Sequence, residues 1–170
     1  ARSSPVLFLD IDGVLNDHCY LEESECTTIE PKLMDRLNWV LLTTGACVVL
    51  SSAWRYHVHR GEMNVTGLAW LLRSHGLMAG RLVSITEPDP KPSPMLPFSE
   101  DPAERPDDAD RGQQISNWVK HHRLLEKGIH YAVVDDNDLK ISIAGHPFIQ
   151  TDSKHGLQWH DAFRLVEALE

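Results

Sequence analysis

From Pro5 to Asn16 the chain reads Pro-Val-Leu-Phe-Leu-Asp-Ile-Asp-Gly-Val-Leu-Asn. Val6 to Leu9 form an apolar run with no polar face, which suits a strand buried on both sides of a parallel sheet. Carboxylates follow it abruptly. Asp10 and Asp12 lie two apart, so in extended backbone both side chains leave on one side, and Gly13 permits a sharp turn behind them. Two acids this close repel unless a cation lies between them. A small set of oxygen ligands favours Mg²⁺, which keeps several waters and accepts a substrate phosphate as a further ligand.

The remaining chain alternates strands and helices. Thr27 or Thr28 can cap a helix that has Pro31 in its first turn, Leu33, Met34, Leu37, Val40 and Leu41 on one face, and Gly45 as its stop. Ala46 to Leu50 reads as a second buried strand ending in Ser51-Ser52-Ala53-Trp54-Arg55. Val65 to His75 repeats the helical period with Leu68, Leu71 and Leu72, and Arg81 to Ile85 reads as a third strand. Arg111 to Leu125, capped by Asp110, carries Ile115, Trp118, Val119 and His122 at helical spacing. Tyr131 to Val134 is a strand ending in Asp135-Asp136-Asn137-Asp138, the second gathering of acids at a strand end. Phe148 to Gln150 and a helix from Gln158 to Leu169, with Trp159, Phe163, Val166 and Leu169 inward, complete the pattern.

Alternation of this kind predicts an α/β fold, a doubly wound, mostly parallel sheet with helices on both faces. Right-handed crossovers bring the strands' carboxyl ends to one edge, where ligands bind in open α/β sheets. With 170 residues, 42% of them hydrophobic, the chain is expected to form one domain spanning 1–170. Residues 86–110 break the pattern: seven of the ten prolines and eight acids fall there, which excludes helix and strand. The segment reads either as a mobile tether or as an ordered polyproline-like flap beside the site.

A formal charge of −9 argues against a broad nucleic-acid or anionic-membrane footprint. No apolar run approaches the roughly 20 residues of a membrane span and no signal core precedes Pro5, so a soluble, cytoplasmic protein without membrane association is expected. Cys19, Cys26 and Cys47 are odd in number and lack metal-type spacing, so reduced thiols are expected. His57 and His59 lack supporting ligands; with His121, His122 and His155 they read as surface residues.

The motifs resemble those of the haloacid dehalogenase (HAD) superfamily, mostly Mg²⁺-dependent phosphohydrolases. They match in chain order: Asp-x-Asp after the first strand, Ser after the second, a cation at a later helix start, and paired Asp after the fourth. The resemblance implies a HAD-type Rossmann-like fold. The short interval between Asp12 and Ser51 leaves no room for a large cap domain. It implies Asp10 as nucleophile, Asp12 as general acid/base, Ser51 as a donor to a phosphate oxygen, and Mg²⁺ held by Asp10, the Asp12 backbone carbonyl and Asp135, with Asp136 as the second acid of the pair. The usual lysine is replaced by Arg111, which can neutralise phosphate bidentately; Lys120 lies more than two turns further along the helix.

Within the superfamily, Asp-Gly-Val-Leu-Asn, Ser-Ser-Ala-Trp-Arg and the Gln-Thr-Asp…Gly-Leu segment look most like the HAD subgroup associated with multidomain RNA-repair proteins. That raises a nucleotide or nucleic-acid end as the phosphorylated substrate, with Ser52 and Arg55 as further contacts and Trp54 as a stacking platform for a base. The alternative is a HAD-fold domain that binds a phosphorylated partner without catalysis.

Overall fold

The computed structural model describes residues 3–16, 29–52, 54, 61, 63–86 and 111–170. Five strands, β1 (Val6–Leu9), β2 (Cys47–Leu50), β3 (Leu82–Ile85), β4 (Tyr131–Asp135) and β5 (Phe148–Gln150), form one sheet in the order β3-β2-β1-β4-β5, all neighbours parallel. Helices α1 (Pro31–Thr44), α2 (Val65–Ser74), α3 (Arg111–His121) and α4 (Trp159–Leu169) cover it. The fold is α/β, a doubly wound parallel sheet with helices on both faces, and no cap domain is evident among the described residues. The expected 86–110 segment lies, beyond Thr86, outside the described residues, as do Arg55, His57, His59, Cys19, Cys26 and the helix caps expected at Thr27, Thr28 and Asp110.

Strand alternation divides the core into two layers. Leu7, Leu9, Val48, Leu50, Ala132 and Val134 pack against α1, α2 and α4 on one face. Val6, Phe8, Val49, Tyr131 and Val133 pack against Ile115 and Val119 of α3 on the other. β1 is the central strand, and the chain leaves β1 and β4 in opposite directions, so the crevice of an open α/β sheet opens between their carboxyl ends.

Three helix expectations need correction. In α4 the buried stripe is Ala162, Leu165 and Leu169, joined by Asp161, while Trp159 and Phe163 are about half exposed. Those two rings lie against Trp39 of α1 at 5.6 and 5.2 Å between centroids, so a surface aromatic cluster replaces the expected core contact. In α3 the helix ends at His121, and Arg123 takes a left-handed φ of 58° that forbids extension to Leu125. His122 is exposed and stacks on the Trp118 ring rather than entering the core. In α2, Leu68 and Leu72 are buried and Leu71 only half so. Capping of α1 falls to Glu30, with Pro31 at the first helical position and Gly45 closing the helix at φ 68°.

No described helix is long and apolar enough to cross a membrane. A cavity of about 820 Å³ opens at the amino ends of the strands beside Pro5, Gly45, Lys127 and His130. It therefore lies at the edge of the sheet opposite Asp10 and Asp135.

Candidate active site

In-register pairing makes one row of residues at the carboxyl ends of the strands. Leu9 pairs with both Leu50 and Val134, and the ladder continues one residue further. Ser51 N–H donates to Leu9 O at 2.8 Å, Asp10 N–H to Val134 O at 3.0 Å, Thr86 N–H to Leu50 O at 2.9 Å, and Thr151 N–H to Asp135 O at 3.0 Å. Across the sheet the row reads Thr86, Ser51, Asp10, Asp135; Asp135 pairs with Gln150, so Thr151 stands one step beyond the row, level with Asp136. Thr86, Ser51, Asp10, Asp135 and Thr151 are each at most 4% exposed, although five polar residues gathered at one edge would ordinarily be solvated. The sequence reading found Ser51, Asp10 and Asp135, and touched Thr151 only as part of the Gln-Thr-Asp…Gly-Leu segment; Thr86 carried no signal beyond following a short strand.

Continuing the strand alternation puts Asp10 and Asp135 on the α3 side, where Arg111 opens the helix. The Arg111 guanidinium is 5% exposed. Its Nη1 donates to Asp135 Oδ2 and stands 3.5 Å from Asp10 Oδ2. Gly112 is what lets the helix start so close. Its N–H donates to Leu139 O at 3.2 Å, and a Cβ there would stand 2.5 Å from Lys140 O, so only glycine permits this approach to the loop after β4. His146 ties the same turn from the other side. Its Nε2 lies 2.9 Å from Ser116 Oγ and 3.1 Å from Gly112 O, and its Nδ1 lies 2.9 Å from the Tyr131 hydroxyl. Neither Gly112 nor His146 was recognised in the sequence, because each acts through a partner distant in the chain.

Asp10, Asp135 and Asp136 offer carboxylate oxygens that all lie within 4.8 Å of one another. Burial, and then the charge of Asp135, push the Asp10 carboxyl well above its ordinary range against the opposing pull of Arg111. Burial also raises Asp135, with Arg111 and the Asn137 N–H acting the other way. Three crowded carboxylates in a buried corner carry more negative charge than one guanidinium offsets. A hard divalent cation with oxygen ligands fits this donor set.

Asp12 stands apart from that group. Its Oδ1 accepts two hydrogen bonds, from Asn16 Nδ2 at 3.1 Å and from Trp54 Nε1 at 3.3 Å, and Asn16 Oδ1 in turn accepts the Gly13 N–H at 3.0 Å. The Asp12 carboxylate is therefore no member of the metal-type cluster, and only its backbone carbonyl remains a ligand expectation. Gly13, at φ 76°, makes the turn, and its carbonyl accepts the Thr151 hydroxyl at 2.8 Å, tying the acid-bearing turn to β5.

Two expected substrate contacts are revised. Trp54 is only 7% exposed and its N–H is committed to Asp12, so it is not an open platform for a base. Ser52 is fully buried and its hydroxyl accepts the Trp54 backbone N–H at 3.3 Å, which closes the turn after β2. Ser51 differs. Its hydroxyl is buried with no hydrogen-bond partner among the described residues, and unpaired buried hydroxyls are costly enough to be uncommon.

A parallel sheet in this order, with a carboxylate group behind its central strand and no cap domain evident, is the haloacid dehalogenase type of Rossmann-like fold. Residues 6–162 match the family described as the HAD domain in Swiss Army Knife RNA repair proteins, and the chain belongs to that family. Membership implies function of the phosphohydrolase type. No curated protein and no solved structure matches the chain.

Proposed function

We propose that the chain is a Mg²⁺-dependent phosphatase that hydrolyses a phosphomonoester through an aspartyl-phosphate on Asp10. The observation that carries this reading is the pairing of Asp10 and Asp135 through one buried guanidinium, beside the Ser51 hydroxyl, which has no hydrogen-bond partner among the described residues.

A phosphomonoester resists attack because its oxygens are anionic, so catalysis consists chiefly of positioning and charge neutralisation. In the first step an Asp10 carboxylate oxygen attacks phosphorus and the ester P–O bond breaks. Its electron pair leaves on the ester oxygen, which takes a proton from Asp12. In the second step water attacks phosphorus, Asp12 takes back a proton, and the Asp10–phosphorus bond breaks to regenerate the carboxylate and free phosphate. Ser51 donates to a non-bridging oxygen. Arg111 holds Asp10 in place and offsets the charge that gathers there. Asp10, Asp135, Asp136 and the Asp12 carbonyl would hold Mg²⁺, which when bound supplies neutralisation of the phosphoryl oxygens and fixes the nucleophile against them.

The substrate class in this reading is a nucleotide or nucleic-acid end. It is supported by the family's RNA-repair description and by the want of a cap domain among the described residues. With a net charge of −9, recognition would be confined to the phosphorylated end rather than spread along a strand.

The test is hydrolysis of 4-nitrophenyl phosphate and of 3′- and 5′-phosphorylated oligonucleotides with Mg²⁺, by wild type and by Asp10→Asn. Turnover by wild type and background rates for the variant are expected. Binding of phosphorylated ligands without turnover would instead identify a non-catalytic relative.

A further inference from the structure

The hydrogen bonds on Asp12 assign unequal tasks to its two oxygens. Oδ1 accepts from both Trp54 Nε1 and Asn16 Nδ2, while Oδ2 makes no hydrogen bond among the described residues. An oxygen that already accepts two N–H donors is poorly placed to hold a proton as well. We propose that Trp54 and Asn16 are positioning residues that lock the Asp12 rotamer and reserve Oδ2 for proton transfer to the leaving group. This rests on the reading of Asp12 as general acid.

The lock is itself held from both sides. The amide of Asn16, fully buried, is oriented by the Gly13 N–H on its Oδ1, which turns Nδ2 toward Asp12. The indole of Trp54 is set by the turn in which its own backbone N–H binds Ser52 Oγ. The two donors thus arrive from different segments, the β1 turn and the turn after β2, and a carboxylate held at one oxygen from two directions has little rotational freedom. The Ser51-Ser52-Ala53-Trp54 run then divides its work, with Ser51 facing the reacting group and Ser52 and Trp54 serving Asp12.

A leaving group of high pKa needs the proton and a nitrophenolate barely does, so loss of the lock is selective. The experiment compares Trp54→Phe, Asn16→Ala and Asp12→Asn on 4-nitrophenyl phosphate and on an alkyl phosphate, with melting temperatures for each. Trp54→Phe keeps the ring and removes the donor. It is expected to lower kcat/KM, which reports the first step, by about tenfold on the alkyl phosphate, part of the 10²–10⁴ that general acid catalysis supplies. On the aryl phosphate kcat/KM should fall less than about threefold. In the Asp12→Asn background, Trp54→Phe should add almost nothing, because residues acting through one group are not additive. Equal losses of kcat/KM on the two substrates, or full additivity with Asp12→Asn, would overturn the proposal. If Trp54→Phe does not fold, Asn16→Ala carries the same comparison. If Asp12→Asn itself lowers kcat/KM equally on both substrates, the general-acid reading beneath the proposal falls, and the positioning role with it.

Discussion

Gly13 and Asp136 are in direct contact: a methyl group on Gly13 would stand 2.7 Å from the Asp136 Cβ. The turn that carries Asp12 is thereby packed against the second acid of the β4 end, although the two residues follow different strands of the sheet. Gly13 also has a φ of 76°, a conformation that costs a non-glycine residue roughly 1–2 kcal/mol. Gly13→Ala is therefore expected to lower stability by at least about that amount and to abolish turnover, because the overlap moves Asp136 away from Asp10 and Asp135. Thermal unfolding and phosphatase assays on the same sample would check it, and a variant retaining wild-type activity would show that the Asp136 position is unimportant.

Ser51→Ala should separate stability from activity. Its hydroxyl is buried without a hydrogen-bond partner among the described residues, so deleting it removes a desolvation cost and should leave stability unchanged or raised by up to about 1 kcal/mol. Loss of a donor to the reacting phosphate should lower kcat by about 10²-fold. A substantial fall in melting temperature would mean that the hydroxyl has a structural partner instead.

Arg111→Ala should destabilise the metal-free protein strongly. Removing one member of a buried ion pair leaves the others uncompensated, at a cost of about 3–5 kcal/mol, and here two buried carboxylates lose their partner. Mg²⁺ titration should recover part of the lost melting temperature, since a cation held by the same carboxylates stabilises the native state by mass action. Arg111→Lys should be milder in stability but lack the fork geometry.

The pH dependence of metal-free stability has a definite sign. Asp10 and Asp135 both have folded-state pKa values above the ordinary carboxylate value of 3.8, so above that pH the native state binds more protons than the unfolded chain. Stability is then fully present below about pH 4 and is lost as pH rises through the raised values. Asp10→Asn should raise the melting temperature near pH 7, by about 2–4 °C for each kcal/mol relieved, and the gain should vanish near pH 4. Mg²⁺ should stabilise wild type at pH 7 more than it stabilises the variant. A stabilisation by Asp10→Asn that is independent of pH would refute the electrostatic origin.

Much of this architecture is legible in the chain because it depends on short-range pattern. An apolar strand followed by acids, and a helix opened by Pro31 and closed by Gly45, are each written in one continuous run, while Asp-x-Asp, Ser and paired Asp, tens of residues apart, are legible by their order behind successive strands. They place Asp10, Ser51 and Asp135 at one edge once the strands are parallel and in register.

What the tertiary structure decided is which of several compatible local patterns wins. In α4 the stripes Trp159, Phe163, Val166 and Ala162, Leu165, Leu169 both satisfy a period of 3.6. The sheet face accepted the smaller set, leaving the bulky rings to Trp39 at the surface. Trp54 offered the residue type of a base-stacking platform, yet its partner is Asp12, 42 positions away in the chain, and no periodicity encodes such a pairing. Gly112 and His146 likewise matter only because α3 docks against the loop after β4. Local sequence sets which elements form and which edge gathers the acids; the assignment of each polar atom depends on contacts between distant segments, made only when those elements pack.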